Sequence, residues 1–179
     1  MMFRSFLLAL ALLGSSLVAQ AAPAANTPLD QAQALWLGGH RGEAVDKIEA
    51  ALKATPDDLK LRFALGVYKM ELRQTADALQ IFTSLSQDFP DLADPYNNLA
   101  VIHASQGQLD EARADLEQAL RLQPEHPQAQ ENFGDLMLRI AARAYQRAQA
   151  ALPAPSTALE QKLKMTQALV LKLTPNAAP

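Results

Sequence analysis

Residues 93–126 read ADPYNNLAVIHASQGQLDEARADLEQALRLQPEH. Within this stretch Tyr96, Leu99, Ala100 and His103 recur at three- and four-residue steps, which places them on one face of a helix. Gly107 ends that helix, because it supplies the positive φ that a tight turn needs. Asp110 is then placed to cap a second helix whose face carries Ala112, Leu116, Ala119 and Leu120. The small alanines let two helix backbones approach closely. Pro124 closes the unit, since proline cannot continue a helix.

The same spacing extends outward. Ala44, Ala78 and Ala112 lie 34 residues apart, and so do Pro56, Pro90 and Pro124. Four residues after each alanine stand Ile48, Phe82 and Leu116, and seven after it Ala51, Leu85 and Ala119. Upstream, Leu65 aligns with Leu99 and Gly66 with Ala100. One spacing held at so many positions marks an internal repeat, and a hairpin too small to bury its own apolar face must stack on its neighbours. The fold class expected is all-α: a short α-solenoid of stacked antiparallel helix pairs. Ala and Leu dominate a composition that is 49% apolar and only 6% aromatic, which favours helix.

These residues resemble the tetratricopeptide repeat, a 34-residue helix–turn–helix unit. The copy at 93–126 carries Tyr96, Leu99, Ala100, His103, Gly107, Ala112, Leu116, Ala119 and Pro124 at signature positions. The copy at 59–92 matches through Leu65, Gly66, Ala78, Phe82 and Pro90. It departs at Arg62, where the family prefers an aromatic, and at Arg73, where glycine is usual. The copy at 25–58 matches mainly in its second helix, through Ala44, Ile48, Ala51 and Pro56. Its first helix has Pro28 and Gln31 at signature positions and reads as an N-terminal cap, opened by Thr27 and Pro28. Together these units make residues 22–126 a repeat domain.

A fourth unit starts in register, with Phe133 and Gly134 falling 34 residues beyond Leu99 and Ala100, and then departs. Leu136, Ile140, Ala144, Ala148 and Leu152 continue one stripe, so a long helix over about 128–152 is expected. Pro153-Ala154-Pro155 breaks it, and Thr157-Ala158-Leu159-Glu160 has a capping-box pattern that opens a last helix. That helix sets Leu159, Leu163, Thr166 and Val170 on one side. The pair over 127–173 is expected to cap the solenoid, with a disordered tail over 174–179.

Residues 1–21 have the three parts of a signal peptide. These are Arg4 near the amino terminus, an apolar stretch from Phe6 to Leu13 that weakens toward Val18, and the small-x-small site Ala19-Gln20-Ala21. The stretch is too short to span a bilayer. A periplasmic or secreted protein cleaved after Ala21 is expected, with no membrane insertion after the signal is removed. The chain has no cysteine, so disulfides, thiolate zinc sites and a lipoprotein anchor are excluded. Its net charge of −3, which becomes −4 without residues 1–21, does not suit a nucleic-acid face.

The resemblance implies that the first helix of each pair lines a concave groove that holds a peptide or an extended segment. Carried over by register, the groove residues are Gln33, Phe63, Val67, Asn97, Asn98, Val101, Glu131, Asn132 and Asp135. Side-chain amides at Asn98 and Asn132 can both donate to and accept from a peptide backbone. Phe63, Val67 and Val101 offer an apolar floor. Family members that grip the carboxylate tail of heat-shock chaperones use a Lys/Arg cluster here, whereas this chain has Leu29, Gln33, Ala64, Asp94 and Asn98. The ligand implied is neutral or basic.

No catalytic, metal or cofactor site is expected. His40, His103 and His126 fall in a turn, a packing position and a loop, with no second ligand at metal spacing. Glu43/Lys47, Glu49/Lys53, Glu117/Arg121 and Glu160/Lys164 read as pairs along helix faces. Trp36 beside Gly38-Gly39 reads as a cap of the terminal core. The function expected is a non-enzymatic scaffold or adaptor of the bacterial envelope. The alternative is a structural protein that forms a homodimer through its C-terminal helices.

Overall fold

The computed structural model describes residues 26–173; the expected signal segment and the tail over 174–179 lie outside them. Eight helices follow one another: α1 Pro28–Leu37, α2 Arg41–Ala54, α3 Leu59–Glu71, α4 Thr75–Asp88, α5 Ala93–Ser105, α6 Leu109–Leu122, α7 Pro127–Ala151 and α8 Thr157–Leu173. Each odd-numbered helix pairs with the next, and α2, α4 and α6 each also pack on the helix that follows them. First helices touch one another at α1–α3 and α5–α7, so they form the inner layer of the stack.

Two turns alternate along the stack, each repeating at 34 residues. Inside a pair the backbone N–H of His40, Gln74 and Gln108 donates to the carbonyl of Leu35, Lys69 and His103, each at 2.9 Å. This six-residue closure needs a left-handed residue just before the donor. Gly39 (φ 85°), Arg73 (φ 59°) and Gly107 (φ 77°) take that conformation. Arg73 does so with a side chain, at a steric cost that the two glycines avoid. Between pairs, Asp58, Leu92 and His126 donate to Thr55, Phe89 and Gln123 at 3.1–3.2 Å across the turns that hold the three spaced prolines.

The core runs through the stack as three clusters, each joining a hairpin to the first helix of the next. Its deepest contact repeats too. Ile48, Phe82 and Leu116 on the second helices are almost completely buried opposite Ala32, Gly66 and Ala100 on the first. The largest of the three faces the smallest, for a Cβ on Gly66 would stand 2.7 Å from Phe82 Cζ. The Phe82 ring also meets Phe63 edge-on at 5.5 Å. Full burial of such a ring contributes about 1.5–3 kcal/mol.

Helix starts follow the sequence in part. Thr27 and Asp30 form a reciprocal capping box at α1, as the sequence suggested for Thr27. Asp110, by contrast, does not cap α6: the cap residue is Gln108, without a side-chain bond, and Asp110 turns to Arg143 of α7 at 2.7 Å. At α8 the capping oxygen belongs to Ser156, one residue before Thr157, and accepts from Leu159 N–H at 3.4 Å. Three of the expected along-helix pairs form differently. Glu43 meets His40, Glu49 meets Lys69 of α3 at 3.1 Å, and Glu117 meets Arg113.

The C-terminal pair differs from the three before it. α7 is 25 residues long, about 37 Å. Its first half docks on α6 and α5 through Ala129 and Leu136, and Arg139 reaches the exposed end of α5 by donating to the Ala104 carbonyl at 3.3 Å. Ala144, Ala148 and Leu152 are exposed, contrary to the single stripe expected from four-residue steps. Steps of four drift against a period of 3.6, and burial passes instead to Ala142, with Tyr145 and Gln149 half-buried. α8 packs on α7 through the half-buried Leu159, Leu163, Thr166 and Val170, and none of its described side chains is buried.

Candidate functional site

The inner layer brings together the α5 and α7 residues expected to line a groove. Asn97 and Asn98 are both buried, at 3% and 5% exposure. Asn132 Nδ2 on α7 donates to Asn97 Oδ1 on α5 at 2.8 Å, and Gln128 Nε2 donates to Asn132 Oδ1 at 3.3 Å. Asn98 instead turns back to its own helix and donates to the Asp94 carbonyl at 2.9 Å. Sequence register equates Asn98 with Asn132, whereas the bond that ties the two units joins Asn97 to Asn132.

Carboxylates gather around this amide pair. Asp94 is exposed at the start of α5 and accepts from His126 Nε2 at 3.0 Å. His126 Nδ1 accepts from Ala129 N–H at 3.2 Å, so the ring caps α7 with one nitrogen and carries its proton on the other. This link between units was not visible in sequence, where His126 read as a loop residue. Asp135 lies half-buried one turn beyond Glu131, and burial first, then the Glu131 charge, raises its carboxyl above the ordinary range, with Arg139 opposing. The Glu131 and Asp135 carboxylates, one turn apart, repel each other, and such a pair favours a further cation.

Phe63 and Val67 on α3 and Val101 on α5 are half-buried. Phe63 and Val67 pack against the central core cluster, so they present part of their surface and anchor the rest. Gln33 on α1 is half-buried as well. On the outer side, Arg62 takes the place of the family's aromatic and donates to Ser84 Oγ at 2.8 Å and to Asp88. That pairing lowers the Asp88 carboxyl. Beside Arg62 a shallow cavity of about 290 Å³ is lined by Leu52, Leu65, Gln80, Ile81 and Ser84.

The histidines stand in structural pairs. His103 Nδ1 lies 2.7 Å from Asp115 Oδ2 between α5 and α6, and burial raises the Asp115 carboxyl although His103 opposes it. Trp36 stacks on Tyr68 at 4.0 Å and 5°, joining the first pair to the second, with the Arg41 guanidinium 5.3 Å above. Among the described residues no group of three or more His, Asp or Glu side chains could hold a metal ion, and no helix is long and apolar enough to cross a membrane.

The tetratricopeptide repeat family profile matches residues 93–126, and a second profile of the same family matches residues 29–93. The chain is a tetratricopeptide repeat protein. No curated protein sequence matches it. Among solved structures it is similar to the first tetratricopeptide domain of Spaghetti (RPAP3) bound to the HSP90 peptide SRMEEVD. That match has 18% identity and a TM-score of 0.59 over 64% of this chain and 90% of that one. Residues 41 to the end of MamA from Desulfovibrio magneticus RS-1 match at 18% identity with a TM-score of 0.57, over 86% and 79% of the two chains. The tetratricopeptide domain of Arabidopsis OM64 matches at 20% identity and 0.58, over 63% and 93%. At such identity the likeness is one of fold. Tetratricopeptide domains are in general protein–protein interaction modules.

Proposed function

We propose that this chain is an exported, non-enzymatic adaptor of the bacterial envelope that holds a neutral or basic segment of another protein on its inner face. The observation that carries this reading is the composition of that face. Partly exposed Phe63, Val67 and Val101 share the first-helix layer with the Asn97–Asn132 amide pair and the carboxylates Asp94, Glu131 and Asp135. Apolar contacts would supply affinity and carboxylates would select positive charge. The relative that is bound to an acidic HSP90 peptide sets the contrast. Where chaperone-binding members place Lys and Arg, this chain has Leu29, Gln33, Ala64, Asp94 and Asn98, which give no anchor for a terminal carboxylate. Export is supported by the signal-like pattern of residues 1–21.

Site-specific photo-crosslinking in cells tests the reading. A photoreactive residue at Val101 or Gln33 is expected to capture one protein reproducibly, while the same residue at exposed Ala114 on α6 captures none. Capture from Ala114 alone would move the binding surface to the outer layer.

A further inference from the structure

Charge is segregated along this chain. Residues 56–135 contain fourteen Asp and Glu against six Lys and Arg, whereas residues 136–173 contain six Lys and Arg against the single acid Glu160. The stretch from the middle of α7 through α8 therefore carries a net +5 at the end of an acidic body. On α8, Lys162, Met165, Leu169 and Lys172 follow at three- and four-residue steps and form an exposed stripe along one flank of the side that packs on α7. Met165 is 70% and Leu169 47% exposed. In each earlier pair the second helix is covered by the next unit, and α8 has no such neighbour among the described helices.

We propose that α8 of one copy docks, through this stripe, on the inner face of a second copy. The inference rests on the reading of that face as a binding surface and names its occupant. Lys162 and Lys172 bracket two apolar side chains, and the inner face offers Asp94, Glu131 and Asp135 beside Phe63, Val67 and Val101. The complement is chemical at both levels, basic on acidic and apolar on apolar. Charge also decides the symmetry. A two-fold dimer through the ends of the hairpins, residues 136–173, would set +5 against +5, which like-charge repulsion opposes. Built head to tail, this hairpin-to-body contact is heterologous, and each added copy leaves one hairpin and one inner face open, so assembly continues beyond two.

The test uses the chain as processed by the cell, mixed in equal parts with and without nitrogen-15. In about 20 mM salt its sedimentation mass should rise with concentration past the dimer and return to monomer in about 0.5 M salt. A zero-length amine–carboxylate crosslinker should join Lys162 or Lys172 of one isotope to Asp94, Glu131 or Asp135 of the other. Lys162→Glu/Lys172→Glu should lower the association constant roughly tenfold or more with an unchanged helical spectrum. Mixing that variant with Glu131→Lys/Asp135→Lys should restore association. A monomer at every concentration, a mass that stops at two with hairpin-to-hairpin links, or binding to vesicles of anionic phospholipid without self-association would each overturn the proposal. If the chain is monomeric while a probe at Val101 captures a different protein, only the self-partner fails. If the probe captures nothing, the inner-face reading fails with it.

Discussion

The repeat body and the C-terminal hairpin use one helix–turn–helix plan to opposite ends. In the body the second helix of each pair is covered on both sides, and Ile48, Phe82 and Leu116 are almost completely buried. In the hairpin α8 packs on α7 and leaves Met165, Leu169 and Leu171 exposed. Position by position the contrast is sharpest at the small residue of the first helix. Gly66 is pressed by Phe82, while Gly134, two repeats later in the same register, has nothing within 4 Å of where a Cβ would stand. Burial by neighbours on both sides separates a structural hairpin from one that still offers a surface.

The largest effect expected follows from that difference. Phe82→Ala should cost about 3–5 kcal/mol in chemical denaturation, whereas Met165→Ala should stay within about 0.5 kcal/mol. Equal losses would mean that α8 is as tightly coupled as α4. The glycine pair comes next. Gly66→Ala should destabilise by about 1–2 kcal/mol, as overpacking against Phe82 outweighs the helix propensity gained. Gly134→Ala should stabilise by up to about 1 kcal/mol, since the added methyl meets no neighbour.

Smaller effects lie in the joints of the body. Arg73→Gly should stabilise by roughly 0.5–1 kcal/mol by relieving the left-handed side chain, making this turn equivalent to those at Gly39 and Gly107. Tyr68 joins the first two pairs, with its hydroxyl buried and lacking a hydrogen-bond partner. Burial, then the Glu71 charge, pushes its pKa up to about 12. Because the folded value lies above the ordinary 10, stability is complete below pH 10 and is lost as the pH rises toward 12. Thermal melts over that range should show the loss, and Tyr68→Phe should remove this group's share of it.

The 34-residue spacing made the body legible, because a repeat samples the same contact three times. Turns and core faces followed from it. What sequence register missed depends on side-chain direction. Asn98 and Asn132 are equivalent by count, yet Asn98 turns to the Asp94 carbonyl and Asn97 makes the bond to Asn132. Asp110 has the chemistry of a cap but serves Arg143, since the cap falls two residues earlier. The stripe drawn along α7 failed past Ile140 because strict steps of four wander off a helix of period 3.6. Whole-chain charge concealed the basic end, because it offsets only part of the more acidic body and leaves a mild net acidity. Reading charge by segment brings it out.

The most direct measurement is the affinity of the protein captured at Val101 for the wild-type chain and for Glu131→Lys/Asp135→Lys. The account predicts a loss of about tenfold or more with the helical spectrum and melting behaviour retained. An unchanged affinity in the folded variant would contradict the claim that the acidic inner face is the binding surface.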